Sequence, residues 1–146
     1  MSSVLRVQVV FDAAEPEKLA EFWGLALGYV PEPPPEGFAS WEEFAADAGI
    51  PESEFGAQAS RVDPAGVGPR LYFQQVPEGK TTAKNRVHLD ISVADRGVRG
   101  EHRKRLVSEH VERLFQAGAS LAWTNDDARG DSVVLYDPEG NEFCVH

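Results

Sequence analysis

The chain has 146 residues, of which 42% are hydrophobic and 26% are charged. This length supplies one buried core and does not require two, so we expect a single domain over residues 1–146. The formal net charge of −10 opposes contact with phosphate backbones, which argues against a nucleic-acid partner and suits a cationic ligand better. One cysteine permits no internal disulfide, no apolar run approaches the roughly 18 residues that cross a bilayer, and the N-terminus does not resemble a signal peptide. These features predict a soluble cytoplasmic protein with no membrane partner.

The first predicted elements are a half-buried strand and an amphipathic helix. Residues 4–11 alternate in a way that turns Gln8 away from the core face of the strand. Pro16 suits the first turn of a helix, and Gly28 suits a left-handed helix end. The residues that this pattern predicts to be buried are Val7, Val9 and Phe11 on the strand and Leu19, Phe22, Trp23, Ala26 and Leu27 on the helix.

A proline-rich connector then leads into a helical insertion of about residues 37–55. Ser40 and Glu43 form a capping-box pattern, and Gly49 ends the helical spacing. The aromatic residues of this segment, Phe38, Trp41 and Phe44, have two interpretations: they form a lid over the open face of the sheet, or they only anchor the insertion.

The hairpin that follows completes the first half. Residues 57–62 and 70–76 predict two strands around Asp63-Pro64-Ala65-Gly66, which fits a type I turn. Alternation on the second strand places Tyr72 and Gln74 on the open face, together with Gln8.

The second half opens with a strand of unusual polarity. Arg86 to Val93 alternates so that His88, Asp90 and Ser92 face away from the core. A helix follows, and then three strands at about 119–124, 132–136 and 141–146. The residues predicted to be buried are Val87, Leu89, Ile91, Val93, Val107, Val111, Leu114, Phe115, Phe143 and Val145, while Glu142, Cys144 and His146 share the face of His88.

Two echoes in the same order indicate a duplicated module. Arg6-Val7-Gln8 resembles Arg86-Val87-His88, and the turn at Asp63 resembles the turn at Asp137. We therefore predict an α+β fold of two βαβββ modules, at about residues 4–76 and 86–146, which form a curved mixed sheet with a concave cavity.

The combined motifs resemble the vicinal oxygen chelate superfamily, that is, the glyoxalase/bleomycin resistance/dioxygenase fold, and within it the glyoxalase-like proteins of the actinobacterial type. The resemblance covers nearly the whole chain. It rests on Phe22-Trp23, Leu27-Gly28-Tyr29, Gly68 to Gln74, Lys84 to Asp90, and Asp137 to Cys144. This superfamily includes isomerases, dioxygenases, thiol transferases and drug-sequestering proteins, so the resemblance implies the fold more strongly than the reaction.

The resemblance also implies four metal positions, which fall here on Gln8, Gln74, His88 and Cys144. Both carboxylates typical of the superfamily are replaced, and neutral amide oxygens offset little of the dehydration cost of a divalent ion. We therefore expect no metal cofactor. The alternative is zinc held by His88 and Cys144, completed by His146 or Asp90.

A metal-free acid/base site remains. Because His88 and Asp90 share one strand face, the carboxylate can orient the imidazole for catalysis, although such a pair also occurs as a plain polar contact. The proposed ligand contacts are Gln8, Tyr72, Gln74, Cys144 and His146. Lys80, Lys84 and Arg86 either recognise an anionic group or form a solvated rim.

Two functions stay open at this level. The first is a lyase or isomerase that acts on a small molecule through His88 and Asp90. The second is a metal-independent protein that sequesters a compound, as bleomycin-resistance relatives do. A homodimer is expected from the resemblance and from the frequency of symmetric dimers.

Overall fold

The computed structural model of the protein describes residues 3–127 and 130–146. The chain divides into two compact units, Met1–Gly24 with Gly28–Gly79, and Leu25–Leu27 with Lys80–His146. Each unit contains one four-stranded mixed sheet, which confirms the predicted α+β class. In the part of the chain that is described, no helix has both the length and the apolar character needed to cross a membrane.

The first sheet has the strand order β1-β4-β3-β2, with β1 parallel to β4 and the other pairs antiparallel. The elements of this half are β1 (Val9–Ala13), α1 (Pro16–Leu27), β2 (Val30–Pro31), α2 (Trp41–Asp47), a 3-10 helix (Glu52–Ala57), β3 (Gln58–Val62) and β4 (Leu71–Gln75).

Aromatic side chains join α1 to the first sheet. The ring of Phe11 lies 5.0 Å from the ring of Phe73 and 5.1 Å from that of Trp23, measured between centroids. Gly28 ends α1 with φ = 72°, the left-handed conformation that its position in the sequence predicts. The face of β1 that contacts α1 is therefore the predicted one.

The predicted start of the first strand is wrong. Ladder bonding begins where the amide of Val9 donates to the carbonyl of Arg70 at 3.0 Å, and the segment before it is exposed. Val7, predicted to be buried, is one of these exposed residues. Apolar alternation alone did not reveal where β4, the parallel pairing partner, begins.

The insertion packs mainly upon itself. The hydroxyl of Ser40 accepts a hydrogen bond from the amide of Glu43 at 3.0 Å, which confirms the predicted cap. Phe44 contacts the rings of Phe38 and Trp41 at 5.2 and 5.7 Å, and no residue of α2 is buried. The indole of Trp41 donates to the carbonyl of Glu32 at 2.7 Å, so the aromatic cluster is anchored to the proline-rich connector.

The second sheet has the order β5-β8-β7-β6, again with one parallel pair, β5 with β8. Its elements are β5 (Leu89–Ile91), α3 (Gly100–Gln116), β6 (Ser120–Asp127), β7 (Gly130–Tyr136) and β8 (Glu142–Val145). The core residues of this half are Ile91, Val107, Val111, Leu114, Leu135, Phe143 and Val145. Two residues predicted to be buried are exposed: Val87, which precedes the paired part of β5, and Phe115, at the rim of the α3 stripe.

Matching aspartate turns precede β4 and β8. The carboxylate of Asp63 accepts hydrogen bonds from the amides of Ala65, Val67 and Gly68, which lower its pKa. The buried carboxylate of Asp137 accepts from the amides of Glu139 and Asn141. The predicted turn residues therefore satisfy backbone donors at both positions.

Candidate functional site

One face of the second sheet carries most of the candidate residues. Residues that pair directly on neighbouring strands project from the same face of a sheet. The pairing places Asp90 beside Cys144, Cys144 beside Val134, and Val134 beside Trp123. These four residues form a row across all four strands, and we call the face that carries them the polar face.

The polar face includes a histidine–carboxylate contact. The Nε2 atom of His88 lies 3.2 Å from the Oδ1 atom of Asp90. Their side chains are 43% and 55% exposed, so both are open to solvent. Among the described residues, the Nδ1 atom of His88 has no hydrogen-bond partner. This geometry leaves one ring nitrogen available to a ligand while the carboxylate orients the other.

Cys144 lies under this pair as a neutral thiol. Burial raises the pKa of the Cys144 thiol, the nearby charge of Asp90 adds to the effect, and a hydrogen bond with Ser132 opposes it. A protonated thiol is a poor nucleophile and a poor metal ligand. Cys144 therefore serves the polar face as a small apolar surface.

A buried carboxylate, Glu142, closes one end of the polar face. Its carboxylate accepts from the ammonium of Lys84 at 2.6 Å and from the backbone amide of Asn85 at 3.4 Å, while the backbone amide of Glu142 donates to the side-chain oxygen of Asn85 at 3.4 Å. The contact with Lys84 is the main cause that lowers the pKa of Glu142, and His88 contributes in the same direction. Glu142 therefore already neutralises Lys84, which opposes the first of the two roles considered from the sequence, recognition of an anionic group.

Trp123 belongs to the polar face because of an irregularity in β6. Leu121 pairs with Leu135, but Trp123 pairs with Val134, so Ala122 is an extra residue in a β-bulge. Without the bulge, alternation would place Trp123 on the same face as Leu121. Sequence reasoning missed Trp123 for this reason, and no local sequence signal marks the bulge.

His146 lies at the other end of the polar face. Its Nε2 atom forms a 3.1 Å hydrogen bond with the hydroxyl of Ser92, and its backbone pairs with Ile91 and Val93. This ring nitrogen is therefore already engaged.

The candidates of the first unit fall into two separate groups. The guanidinium of Arg70 donates to the Gln8 side chain at 2.8 Å and lies 5.3 Å from the centre of the Tyr72 ring. Gln74 instead donates to Asp12 at 2.8 Å. The structure does not unite Gln8 and Gln74 in one hydrogen-bonded group.

Arg70 is the residue that sequence reasoning overlooked in this unit. Its guanidinium binds both carboxylate oxygens of Glu32 at 2.8 Å, and this ion pair lowers the pKa of Glu32. A bidentate pair of this kind fixes the connector to the sheet. The visible sequence signal was an arginine directly before a strand.

The strand registers correct the residue equivalences that were predicted between the two modules. Gln74 pairs with Asp12 in the first sheet, and Cys144 pairs with Asp90 in the second. If Gln74 corresponds to Cys144, then Asp12 corresponds to Asp90, and Gln8 falls two positions away from the counterpart of His88. The two predicted equivalences, Gln8 with His88 and Gln74 with Cys144, therefore cannot both hold.

The residues at the four implied metal positions do not fit a divalent ion. The amide oxygen of Gln8 already accepts from Arg70, the amide of Gln74 donates to Asp12, and neither amide carries the negative charge of a carboxylate ligand. In the described ranges no group of three or more histidine, cysteine, aspartate and glutamate side chains is arranged to hold a metal ion. No step of the chemistry below therefore depends on a metal.

Comparison with solved structures shows the same fold elsewhere. The fosfomycin resistance protein FosX from Mesorhizobium loti matches with a TM-score of 0.61 at 14% identity, over 100% of this chain and 92% of that chain. A glyoxalase/bleomycin resistance protein/dioxygenase family enzyme from Burkholderia phytofirmans matches with a TM-score of 0.58 at 14% identity, over 96% and 94%. A FosX variant from Listeria monocytogenes, complexed with Mn(II) and 1S,2S-dihydroxypropylphosphonic acid, matches with a TM-score of 0.57 at 11% identity, over 100% and 90%.

The sequence itself identifies the family. A search of curated proteins found no significant match to the chain. The model of the glyoxalase-like domain, however, matches residues 8–146, which include every element described above. The chain therefore belongs to the glyoxalase-like domain family.

Proposed function

We propose that this protein binds a small organic molecule on the polar face and catalyses a proton transfer within it, as an isomerase or lyase, with His88 as the base. The observation that carries this proposal is the 3.2 Å contact between His88 Nε2 and Asp90 Oδ1 on an exposed face. Histidine is the side-chain type that exchanges protons near neutral pH, and a carboxylate partner is the usual means of orienting it.

In this proposal the two ring nitrogens have different roles. Nε2, which faces Asp90 Oδ1 at 3.2 Å, carries the proton, and Nδ1 holds the lone pair that accepts a proton from the substrate. Asp90 then stabilises the imidazolium that forms. In an isomerase, Nδ1 returns the same proton to another atom of the substrate; in a lyase, it passes the proton to the leaving group.

The comparisons support a small-molecule ligand. FosX proteins are fosfomycin resistance proteins by name, and the Burkholderia relative is named for a family of enzymes and resistance proteins. At these identities the similarity establishes the fold alone. The proposal for the ligand of the present chain therefore rests on the residues of its own polar face.

The second candidate is a protein that sequesters its ligand without converting it. The protonated state of Cys144 and the engagement of His146 by Ser92 favour it, because both reduce the number of reactive groups on the polar face. Turnover of a tightly bound compound separates the two candidates.

A thermal-shift screen of small molecules, followed by product analysis for each hit, tests the proposal. We expect His88→Ala to abolish both the shift and the turnover. His102→Ala, which removes an exposed histidine from α3, is the matched control and should retain both. A hit whose turnover survives in His88→Ala would overturn the role of His88, and a hit bound without conversion by the wild type would favour sequestration.

We also propose that the protein belongs to the actinobacterial type of the family, acts in the cytoplasm, and forms a homodimer. The motifs from Gly68 to Gln74 and from Lys84 to Asp90 support the subfamily. Symmetric dimers are the commonest oligomers. Light scattering at micromolar concentration tests the dimer, and a monomer mass would contradict it.

A further inference from the structure

We propose that Trp123 is the stacking wall of a site for a planar, conjugated organic cation, whose positive group lies against Asp90. This inference deepens the proposed function, because it names the class of ligand for the same polar face. It rests on the bulge at Ala122, the cross-strand row, and the distribution of charge around that row.

The row defines the dimensions of the site. Asp90 and Trp123 lie on the two edge strands, with Cys144 and Val134 between them. Neighbouring strands lie about 4.8 Å apart, so three intervals separate the two edge backbones by about 14 Å. The two central side chains, Val134 and Cys144, are small and buried, so they add no exposed charge between the two edge residues. A flat ligand of two or three fused rings matches this length.

The indole of Trp123 is placed to stack. It is 41% exposed, although it lies within a paired strand, and the bulge turns it onto the polar face. Bulges commonly redirect a side chain near a functional site. The ammonium of Lys84 lies 5.9 Å from the centre of the ring, which helps to fix the indole. An exposed and oriented aromatic ring gains most from contact with another flat ring.

The charges favour a cation. Lys84 is neutralised by Glu142 at 2.6 Å, and among the described side chains of this face Asp90 has no charged partner other than His88. Arg86 lies in a bend before β5, outside the paired strand. The two ion pairs of this face join the carboxylates of Asp90 and Glu142 to one histidine and one lysine, so only Lys84 carries a permanent positive charge within them. The net charge of −10 on the chain acts in the same direction.

Equilibrium dialysis of the full chain with three probes tests the proposal. The probes are proflavine, a planar three-ring cation; 9-anthracenecarboxylate, a three-ring anion; and choline, a cation that is not planar. We expect proflavine to bind about tenfold or more tightly than either of the others. Replacing Asp90 by asparagine should reduce the preference for proflavine over the anion.

Variants of the stacking residue provide the sharper test. We expect Trp123→Leu to weaken proflavine binding about tenfold, and Trp123→Tyr to retain most of it because a ring remains. Trp41→Leu, which removes another part-exposed indole, is the matched control and should change the affinity by less than about twofold. If Trp123→Leu fails to fold, nuclear Overhauser contacts between proflavine and the Trp123 indole in the wild-type protein decide the question.

Several outcomes would overturn the proposal: no binding of proflavine at about 1 mM, equal binding by folded Trp123→Leu, preference for the anion, or no contact with the indole. These failures are distinguishable from failure of the proposed function. If a ligand that is neither planar nor cationic still requires His88 for conversion, the function stands and only this ligand class is wrong.

Discussion

The carboxylate of Glu142 and the ammonium of Lys84 form a 2.6 Å ion pair whose members differ sharply in exposure. The side chain of Glu142 is 6% exposed and that of Lys84 is 57% exposed. Removing Lys84 therefore leaves a carboxylate inside the protein without its main partner. We expect Lys84→Met to lower the free energy of unfolding by about 1–2 kcal/mol, a moderate cost because water partly screens the exposed lysine.

Chemical denaturation measures this effect, and Lys18→Met is its control. Lys18 pairs with Glu15 at 3.4 Å, but both side chains are about 70% exposed. That change should alter the free energy of unfolding by less than about 0.5 kcal/mol. Equal effects of the two substitutions would contradict the special role of the Lys84 pair.

His110 should make the stability of the protein depend on pH. Its Nε2 atom donates to the carbonyl of Ala26 at 2.9 Å, and its Nδ1 atom accepts from Arg113 at 3.0 Å. Burial lowers the pKa of His110, so the unfolded chain binds a proton more readily than the folded chain. The stabilising contribution is complete above the ordinary value of 6.5 and is lost as the pH falls from there through the folded pKa.

Denaturation of the wild type and of His110→Gln at a series of pH values checks this sign. The difference in their free energies of unfolding should shrink as the pH falls from about 7 to about 5. A difference that stays constant over that range, or grows, would contradict the assignment.

Gly68 should tolerate no larger residue, because a Cβ atom at this position would overlap the hydroxyl of Tyr29. We expect Gly68→Ala to lower the free energy of unfolding by about 1–3 kcal/mol. Adding Tyr29→Phe should restore part of the loss, since the overlapping oxygen is removed. Gly56→Ala, where a Cβ meets nothing within 4 Å, is the control. The absence of any rescue by Tyr29→Phe would show that the cost has another origin.

Metal content gives a further prediction. Because Gln8 is bonded to Arg70 and Gln74 to Asp12, and neither amide supplies the charge of a carboxylate, we expect the purified protein to carry no stoichiometric divalent ion and to keep its melting temperature in chelator. Elemental analysis and melting with and without chelator are the measurements. About one zinc per chain, lost in His88→Ala, would refute the prediction.

Much of the fold follows from local patterns. The helical stripe of α1, its end at Gly28, the cap of α2 and the aspartate turns were predictable, because each depends on residues close together in sequence. The first residues of β1 and β5 were not predictable, because a strand begins only where a neighbouring strand is available to pair with it. Val7 and Val87 have ideal strand character, yet both precede the paired residues and are exposed.

The residues of the candidate site also divide into those that the local sequence pattern predicted and those that it did not. Alternation predicted His88, Asp90, Cys144 and His146 on one strand face, and the structure pairs two of them, Asp90 and Cys144, because a regular strand keeps its period of two. The structure alone revealed three further features of the site. They are the β-bulge that turns Trp123, the ion pair of Lys84 with Glu142, and the ion pair of Arg70 with Glu32. The local sequence pattern predicts none of them, because each depends on residues that are distant in sequence.

The apo stability of two variants decides whether His88 and Asp90 are a structural pair or a functional one. Their side chains are exposed, and the contact between them is 3.2 Å long, so its removal should cost little. We expect His88→Ala and Asp90→Asn each to change the free energy of unfolding by about 0.5 kcal/mol or less, with small coupling in the double variant. Denaturation of the two single variants and the double variant completes the cycle. Losses above about 1 kcal/mol with strong coupling would identify a structural polar network, and the proposal of His88 as the base would lose its physical basis. Small effects combined with loss of ligand-induced stabilisation in His88→Ala are the result that the proposed function requires.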